Sequence, residues 1–491
     1  MNPCLPSDRI RPAFRQVVML ACAVLVSGCA SLAVAPGPAV TDLALPSAWH
    51  AGTSAPVHAD ATALADWWQR FNDPVLTRLV TQALQANTTV QGARSALQQA
   101  RAQADVQRAG LGPRLDASAS AQRSRSGSND AANRFQAGVD ASWEPDIFGG
   151  NRSAARAGDA DAEASAASLA TVQVSLAAEV AVKYIELRGL QARLAIARDN
   201  LSTQDETLQL TRWRAQAGLV SSLDVEQAVN ATEQTRAQIP ALQTSVSQTL
   251  NALAVLTDRT PGAPDTALNA AAPIPPAPAD LALSFPADTL RQRPDVRSAE
   301  LRATAALERV GEADAARYPS LQLSGSLGLS ALGLGALGNS ASLLQALLAS
   351  VSVPLFDGGA GKAQVRVQQA ALEQARSTYR AAVLTALQDV EDALVALSGD
   401  RERLEHLQAA SSAAANAELL ARQNYSSGLV DFTTVLTTQR SLLSAQDSLA
   451  STQASLIADH VRLYKALGGG WRPDADADSD DTAQRSVGVA N

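Results

Sequence analysis

Gly428-Leu429-Val430-Asp431-Phe432-Thr433-Thr434-Val435-Leu436 opens the stretch that decides the fold. Beyond the glycine, apolar residues recur every seven positions at Val435, Leu442, Leu449, Leu456 and Leu463, flanked by Leu436, Leu443, Ile457 and Tyr464. A sustained seven-residue spacing underwinds a helix to about 3.5 residues per turn and makes it supercoil left-handedly against its neighbours. Upstream, Val383, Val390, Leu397 and Leu404 keep the same spacing. The stretch therefore reads as two long helices, 360–426 and 428–467, joined at a glycine turn. No proline falls between Pro354 and Pro473. From Gly361 to Tyr425 such a helix extends roughly 100 Å at about 1.5 Å per residue.

The chain states this pattern twice. Gly218-Leu219-Val220 lies 210 positions before Gly428-Leu429-Val430, and at the same offset Val225 matches Val435 and Leu253 matches Leu463. Pro145 with Gly149-Gly150 matches Pro354 with Gly358-Gly359 at offset 209, and Pro113-Arg114-Leu115 matches Pro319-Ser320-Leu321 at offset 206. Val180, Leu187, Leu194, Leu201 and Leu208 form the heptad stripe of the first copy. Its long helices are expected at 151–217 and 219–258, with Pro240 kinking the second. The copies occupy 29–260 and 290–470. A connector at 261–289, with Pro261, Pro264, Pro273, Pro275, Pro276, Pro278 and Pro286, reads as irregular.

Each copy begins with a helical run, near 75–111 and 295–317, followed by strict alternation. Leu321, Leu323, Leu327 and Leu329 alternate with Gln322, Ser324, Ser326 and Ser330; Leu115, Ala117, Ala119 and Ala121 alternate with Asp116, Ser118, Ser120 and Gln122. Period 2 with one apolar face marks half-buried or barrel strands. Four strands are expected, near 113–124, 134–144, 319–331 and 344–354.

Composition agrees with close-packed long helices rather than a large aromatic core. The 491 residues are 46% hydrophobic, yet mean hydropathy is -0.04, because much of the apolar count is alanine; aromatics are 4% and charged residues 18%. Length alone suggests about three domains. Repeated apolar runs of about 18 or more residues, which a helical transporter needs, are missing from this sequence. The net charge of -8 and the lack of a basic patch argue against nucleic acid.

The three cysteines, Cys4, Cys22 and Cys29, all lie at the N-terminus. Arg9, Arg11 and Arg15 precede the apolar run Val17–Val26, then Ser27, Gly28 and Cys29, the pattern of a secretory signal at 1–28. Val26-Ser27-Gly28-Cys29 resembles a bacterial lipobox, in which the cysteine becomes the mature N-terminus and carries diacylglycerol and palmitate. The alternative is an ordinary signal peptide with an incidental cysteine. Removal of the first 28 residues leaves 463 of the 491. Ala30, in place of an inner-membrane-retaining Asp, implies outer-membrane sorting.

Four short strands cannot close a membrane barrel: open edges in lipid leave backbone groups unpaired, and bacterial barrels need about eight strands. Copies of the chain must complete the sheet, and small cyclic oligomers are the natural solution; a trimer supplies twelve strands. Five segments then carry a family resemblance. They are Trp67-Trp68-Gln69-Arg70-Phe71-Asn72-Asp73-Pro74, Glu144-Pro145-Asp146-Ile147-Phe148-Gly149-Gly150, Arg291-Gln292-Arg293-Pro294-Asp295-Val296, Pro354-Leu355-Phe356-Asp357-Gly358-Gly359, and Leu463-Tyr464-Lys465-Ala466-Leu467-Gly468-Gly469-Gly470-Trp471. The chain resembles TolC-type outer-membrane factors, in particular the lipidated NodT-like branch that serves resistance-nodulation-division (RND) efflux. The resemblance implies a mainly α fold with membrane β: a homotrimer whose twelve-stranded outer-membrane barrel continues as a long periplasmic α-helical barrel. It also implies a passive duct, without enzymatic activity or cofactor, that docks to a periplasmic adaptor and an inner-membrane RND pump. It implies adaptor docking at Gly218, Leu219, Val220, Gly428, Leu429 and Val430. It places a periplasmic aperture at Asp224, Tyr425 and Arg440, where a tyrosine or charge-assisted hydrogen bond between neighbouring helices latches the pore. One departure concerns the aperture's acidic ring: Thr434 and Thr437 stand where the family often has acids, leaving Asp431 as the substitute. Competing readings are a duct for an ABC-type (type I) secretion system and a periplasmic coiled-coil adaptor; the adaptor would not explain two sets of amphipathic strands.

Other signals point elsewhere than to chemistry. Gly333-Leu334-Gly335-Ala336-Leu337-Gly338 fits a dinucleotide-binding fingerprint by spelling, but it follows a membrane-type strand and reads as an inter-strand loop. His50, His58, His406 and His460 have no ligand partner at i+3 or i+4, and His406 and His460 read as polar-face helix residues. Glu391-Asp392 reads as a solvated charge pair. The tail 471–491, with Asp474, Asp476, Asp478, Asp480 and Asp481, reads as acidic and disordered.

Overall fold

The computed structural model describes Trp49 and residues 64–125, 127, 130–278, 290 and 292–471. Cys29 with its signal segment, the far end of the Pro-rich connector and the acidic tail lie outside them. The chain divides into two compact units. One contains 105–157 and 306–372; the other contains 64–104, 158–305 and 373–471.

The first unit holds a four-stranded antiparallel sheet of β1 (Arg114–Ser124), β2 (Ala132–Trp143), β3 (Ser320–Ala331) and β4 (Leu343–Ser352), in the spatial order of the sequence. The register explains the alternation. Leu115 faces Ala141, Ala141 faces Gly325 and Gly325 faces Leu347; Ala117, Val139, Leu327 and Gln345 form the next row. Because side chains alternate with period 2, the odd positions make a nearly continuous apolar face. Asp116, Ser118, Asp140, Ser142, Ser324 and Ser326 stand on the other. The apolar face is open: Leu115, Val139, Leu327, Leu347 and Val351 are all exposed. The dinucleotide-like glycines fall in the β3–β4 loop, around two short 3-10 turns.

The corners that lead from strand to helix use the same device twice. Asp146 accepts from the backbone N–H of Asn151 and Arg152 (3.3 and 2.9 Å), and Asp357 accepts from those of Gly359 and Gly361 (both 2.7 Å). A carboxylate there satisfies donors that open the following helix.

The helices are α1 (Pro74–Ala86), α2 (Thr88–Ala109), α3 (Gly150–Gln216), α4 (Ser222–Leu256), α5 (Thr266–Asn269), α6 (Pro294–Ala315), α7 (Ala360–Ser426) and α8 (Phe432–Ala466). α3 and α7 have 67 residues each, α4 and α8 have 35 each, so the duplication holds to the residue in the long helices. Asp73 caps α1, accepting from Val75 N and Leu76 N at 2.8 and 3.0 Å, with Pro74 at the first position. The expected single run at 75–111 is two helices. Asn87 breaks it by accepting from Thr89 N at 2.8 Å, which starts α2, while its amide donates to the Leu256 carbonyl at 3.0 Å. α4 continues through Pro240. α3 contains the one described stretch apolar enough by composition to cross a membrane, and half of that stretch is buried within the protein.

Within the second unit, α3 and α8 pack closely. A Cβ on Gly189 would lie 2.7 Å from the Ala454 Cβ, so only glycine permits this approach. Arg193 meets Asp447 at 2.6 Å, Asn200 meets Gln446 at 2.8 Å, and buried Gln439 donates to Thr207 Oγ1 at 3.0 Å. A second cluster ties 64–71 to 464–470: Trp67 stacks on Tyr464 (5.5 Å between centroids, 11°) with Phe71 edge-on, and Gly470 N donates to the Leu64 carbonyl. Buried Arg188 fixes the connector. It donates to the Ala267 and Ala270 carbonyls at 2.8 and 2.7 Å, and Gln191 donates to Leu268 O at 2.8 Å. The connector is thus not irregular throughout; one helical turn, α5, is pinned there.

Candidate functional site at the paired helical turns

The two glycine turns are built alike. At the end of α3, Leu219 N reaches back to the Arg214 carbonyl and Gly218 N to Ala215; at the end of α7, Leu429 N reaches Asn424 and Gly428 N reaches Tyr425. Each closes in a left-handed glycine, φ +71° at Gly218 and +74° at Gly428, the conformation that ends a helix with its last carbonyls satisfied. The chain then extends for two residues before the next cap. Leu219 and Leu429 are 73% and 74% exposed, whereas Val220 and Val430 are half-buried. Each turn therefore presents one leucine outward and tucks one valine in.

The caps differ. Ser221 and Asp224 form a reciprocal capping box on α4: Asp224 N donates to Ser221 Oγ, and Asp224 Oδ2 accepts from both Ser221 N and Ser221 Oγ at 2.9 Å. On α8 the cap is Asp431, whose Oδ1 accepts from Thr434 N and Thr434 Oγ1 at 2.9 and 2.6 Å. The Thr434 hydroxyl, the Thr434 N–H and then Thr433 hold the Asp431 carboxyl below the usual carboxylate range. Thr434 is thus not a neutral stand-in for an acid but the partner of one. The Thr437 hydroxyl donates to the Thr433 carbonyl of its own helix.

Behind the turns lies a small core of Leu208, Ala228, Ala231, Ala421, Tyr425, Phe432, Val435 and Leu436. Tyr425 is buried in it, its ring 5.5 Å from that of Phe432 and its hydroxyl without a hydrogen-bond partner. Arg214 of α3 covers the other side. Its guanidinium carbon lies 4.4 Å from the Tyr425 ring centroid, and it donates to the carbonyls of Tyr425 and Ser426 at 3.1 Å each. One cation thereby stacks on an aromatic face and neutralises the negative end of α7.

Of the expected aperture residues, Asp224 is engaged in its own cap, Tyr425 is packed under Arg214, and Arg440 is exposed. No hydrogen bond joins these three within the described residues of one chain. Arg214 carried no sequence signal: its role depends on the α3–α7 pairing, which only the fold supplies. Trp213 is exposed beside it. Cys29, the expected lipidation site, lies outside the described residues. His460 corrects the polar-face reading. It is buried, as are its neighbours Asp459 and Val461, because this turn of α8 faces the protein interior. Burial first, then Arg401, pushes its imidazole down to about 4, and Nδ1 has no partner. His406 is exposed as expected.

A sheet with one open apolar face, carried on the same chain as paired heptad helices that turn at exposed leucines, defines a TolC-like outer-membrane channel. The sequence profile of the outer membrane efflux proteins matches residues 79–258 and 285–469, and the chain belongs to that family, one of efflux ducts rather than of enzymes. It is 32% identical to the pyoverdine export outer membrane protein OpmQ of Pseudomonas aeruginosa, over 94% of this chain and 98% of that one. It is also 32% identical to the toluene efflux pump outer membrane protein TtgI of Pseudomonas putida, over 84% of this chain and 88% of that one. Among solved structures, the outer-membrane channel OprN matches with TM-score 0.80 and 34% identity, covering 87% of this chain and 99% of OprN. The open state of the Neisseria gonorrhoeae MtrE channel matches with TM-score 0.80 and 29% identity, covering 87% and 96%. The chain is an outer-membrane efflux channel protein.

Proposed function

We propose that three copies of the chain form a passive exit duct for drugs, solvents or other small molecules. A twelve-stranded barrel would cross the outer membrane, and the long helices would wall a periplasmic tube. The observation that carries this reading is the sheet. Its apolar face is open and its two edges are unpaired among the described residues, an arrangement that lipid tolerates only once the sheet is closed. An adaptor would dock at Leu219 and Leu429 and connect the duct to an inner-membrane RND pump. Asp224, Tyr425, Asp431 and Arg440 would border the aperture, with contacts between neighbouring subunits completing the latch. Diacylglycerol and palmitate on Cys29 would add an anchor worth about 0.8 kcal/mol per buried CH₂.

Purified protein should run as a heat-modifiable trimer and carry current in planar bilayers. A monomer without pore activity overturns the duct reading in favour of a periplasmic scaffold. Incorporation of labelled palmitate should be lost in Cys29→Ser; equal labelling of that variant removes the lipid anchor from the account.

A further inference from the structure

β1 and β4 are the edges of the sheet, unpaired among the described residues, yet the chain already contains one junction between its two halves, where β2 of the first meets β3 of the second. We propose that β4 of one copy pairs with β1 of the next in the register set by this internal junction, so that Ser350 lies opposite Ser120 of the partner subunit. This rests on the trimeric reading above and adds to it the residue-level seam.

The register follows from the duplication. Leu115 faces Ala141 in the first hairpin, and Leu321 faces Val351 in the second. Placing Leu115 on Leu321, as the matched Pro113 and Pro319 require, sets Ala141 on Val351 and Asp140 on Ser350. Across the internal junction Asp140 faces Ser326, whose counterpart in the first hairpin is Ser120. The same translation puts Ala349 opposite Ala121 and Val351 opposite Ala119 on the apolar face, and Ser352 opposite Ser118 on the polar face. Leu347 then meets Arg123, which stands one residue from the end of β1, where a long cationic side chain reaches the headgroup level. A slip of one residue would turn every side chain of one strand to the wrong face. The competing registers therefore differ by two.

A second observation marks the same edge as covered. Leu355 and Phe356, just after β4, are 91% and 93% exposed. At the internal junction the corresponding place is filled: Phe148, just after β2, stacks on Tyr318, just before β3 (5.0 Å, 15°). Tyr318 corresponds to Gly112 before β1, and Ile147 corresponds to Phe356 after β4. At the seam the aromatic comes from the β4 side, and a glycine leaves room for it.

Cysteine pairs test the register, because no cysteine follows Cys29 and a disulfide requires Cβ atoms within about 4.5 Å. Directly opposite residues come within about 4.5–5.5 Å, while diagonal neighbours two residues off stay near 7 Å. The full chain carrying S120C with S350C, assembled in outer membranes and oxidised, should shift to a covalent trimer that reductant collapses. S118C with S350C and Q122C with S350C should stay monomeric on heated gels. Each single variant should remain a heat-modifiable trimer, which shows that the substitutions are tolerated. If one of the offset pairs links and S120C–S350C does not, the register is overturned while the trimer stands. If no pair links, even through a long bis-maleimide, and the single variants are monomeric, the trimeric reading itself fails.

Discussion

Tyr425, the residue expected at the aperture latch, is part of a bracket within its own chain. Its ring is held between Arg214 and Phe432, and its hydroxyl has no partner within the described chain. Tyr425→Ala should therefore lower stability by about 3–5 kcal/mol, the range for truncating a buried aromatic, and raise single-channel conductance. Tyr425→Phe removes only a buried hydroxyl that has no partner in its own chain and should leave stability unchanged or raise it slightly, so conductance in planar bilayers separates ring from hydroxyl: a rise in the Phe variant assigns the latch to a hydroxyl contact with a neighbouring subunit. Asp224→Ala should also raise conductance and cost about 1 kcal/mol, since the carboxylate closes a capping box. Unchanged conductance in both Tyr425→Ala and Asp224→Ala removes these residues from the aperture. His460 gives a pH signature. Its imidazole is pushed from the ordinary 6.5 to about 4 by burial and Arg401, so folding favours the neutral ring. That stabilisation is complete above about pH 6.5 and is lost as pH falls toward 4. Beside it, burial pushes the Asp459 carboxyl up, against its bond to Arg462 and with help from Asp400, which acts in the opposite direction. Melting temperature should fall between pH 6.5 and 4, and His460→Gln should flatten that fall. An equal slope in the variant shows that another group titrates.

At the scale of elements, much was legible. The alternation at Leu321–Ser330 and the heptads beginning at Val435 are local consequences of period 2 and period 3.5, and the structure makes a small sheet and long helices of them. Both glycine turns were legible because left-handed backbone selects glycine. What stayed hidden depends on partners far apart in sequence. The break at Asn87 is secured by a carbonyl 169 residues away, Arg188 finds its acceptors 79 and 82 residues on, and Arg214 reaches Tyr425 across 211. No local pattern announces such bonds. His460 was misread because a heptad stripe records where leucines lie but not how wide the buried face of α8 becomes. Arg188→Ala strips buried carbonyls of α5 and its flank of their donors and should cost about 3 kcal/mol or more, read as a shifted urea midpoint. Gly428→Val forces a β-branched residue into φ +74° and should cost about 1–2 kcal/mol. If the turn is an adaptor dock, Leu429→Asp should leave trimer stability intact and abolish efflux; retained efflux in Leu429→Asp with Leu219→Asp removes the dock from these turns.

For the whole molecule, duplication is the organising fact. Helices of 67 and 35 residues occur twice, the caps at Asp146 and Asp357 repeat, and the two hairpins share a register. A low-aromatic, alanine-rich chain suits closely approaching helices such as α3 and α8 at Gly189 and Ala454, and it does not require one large core. Family membership fixes the outer-membrane efflux role. The most direct measurement is drug and solvent susceptibility in a strain deleted for this gene and complemented with the wild-type chain. Deletion should heighten susceptibility, and the wild-type chain should restore resistance. Unchanged susceptibility, with a secreted protein accumulating inside the deleted cells, would contradict it and assign the duct to protein secretion.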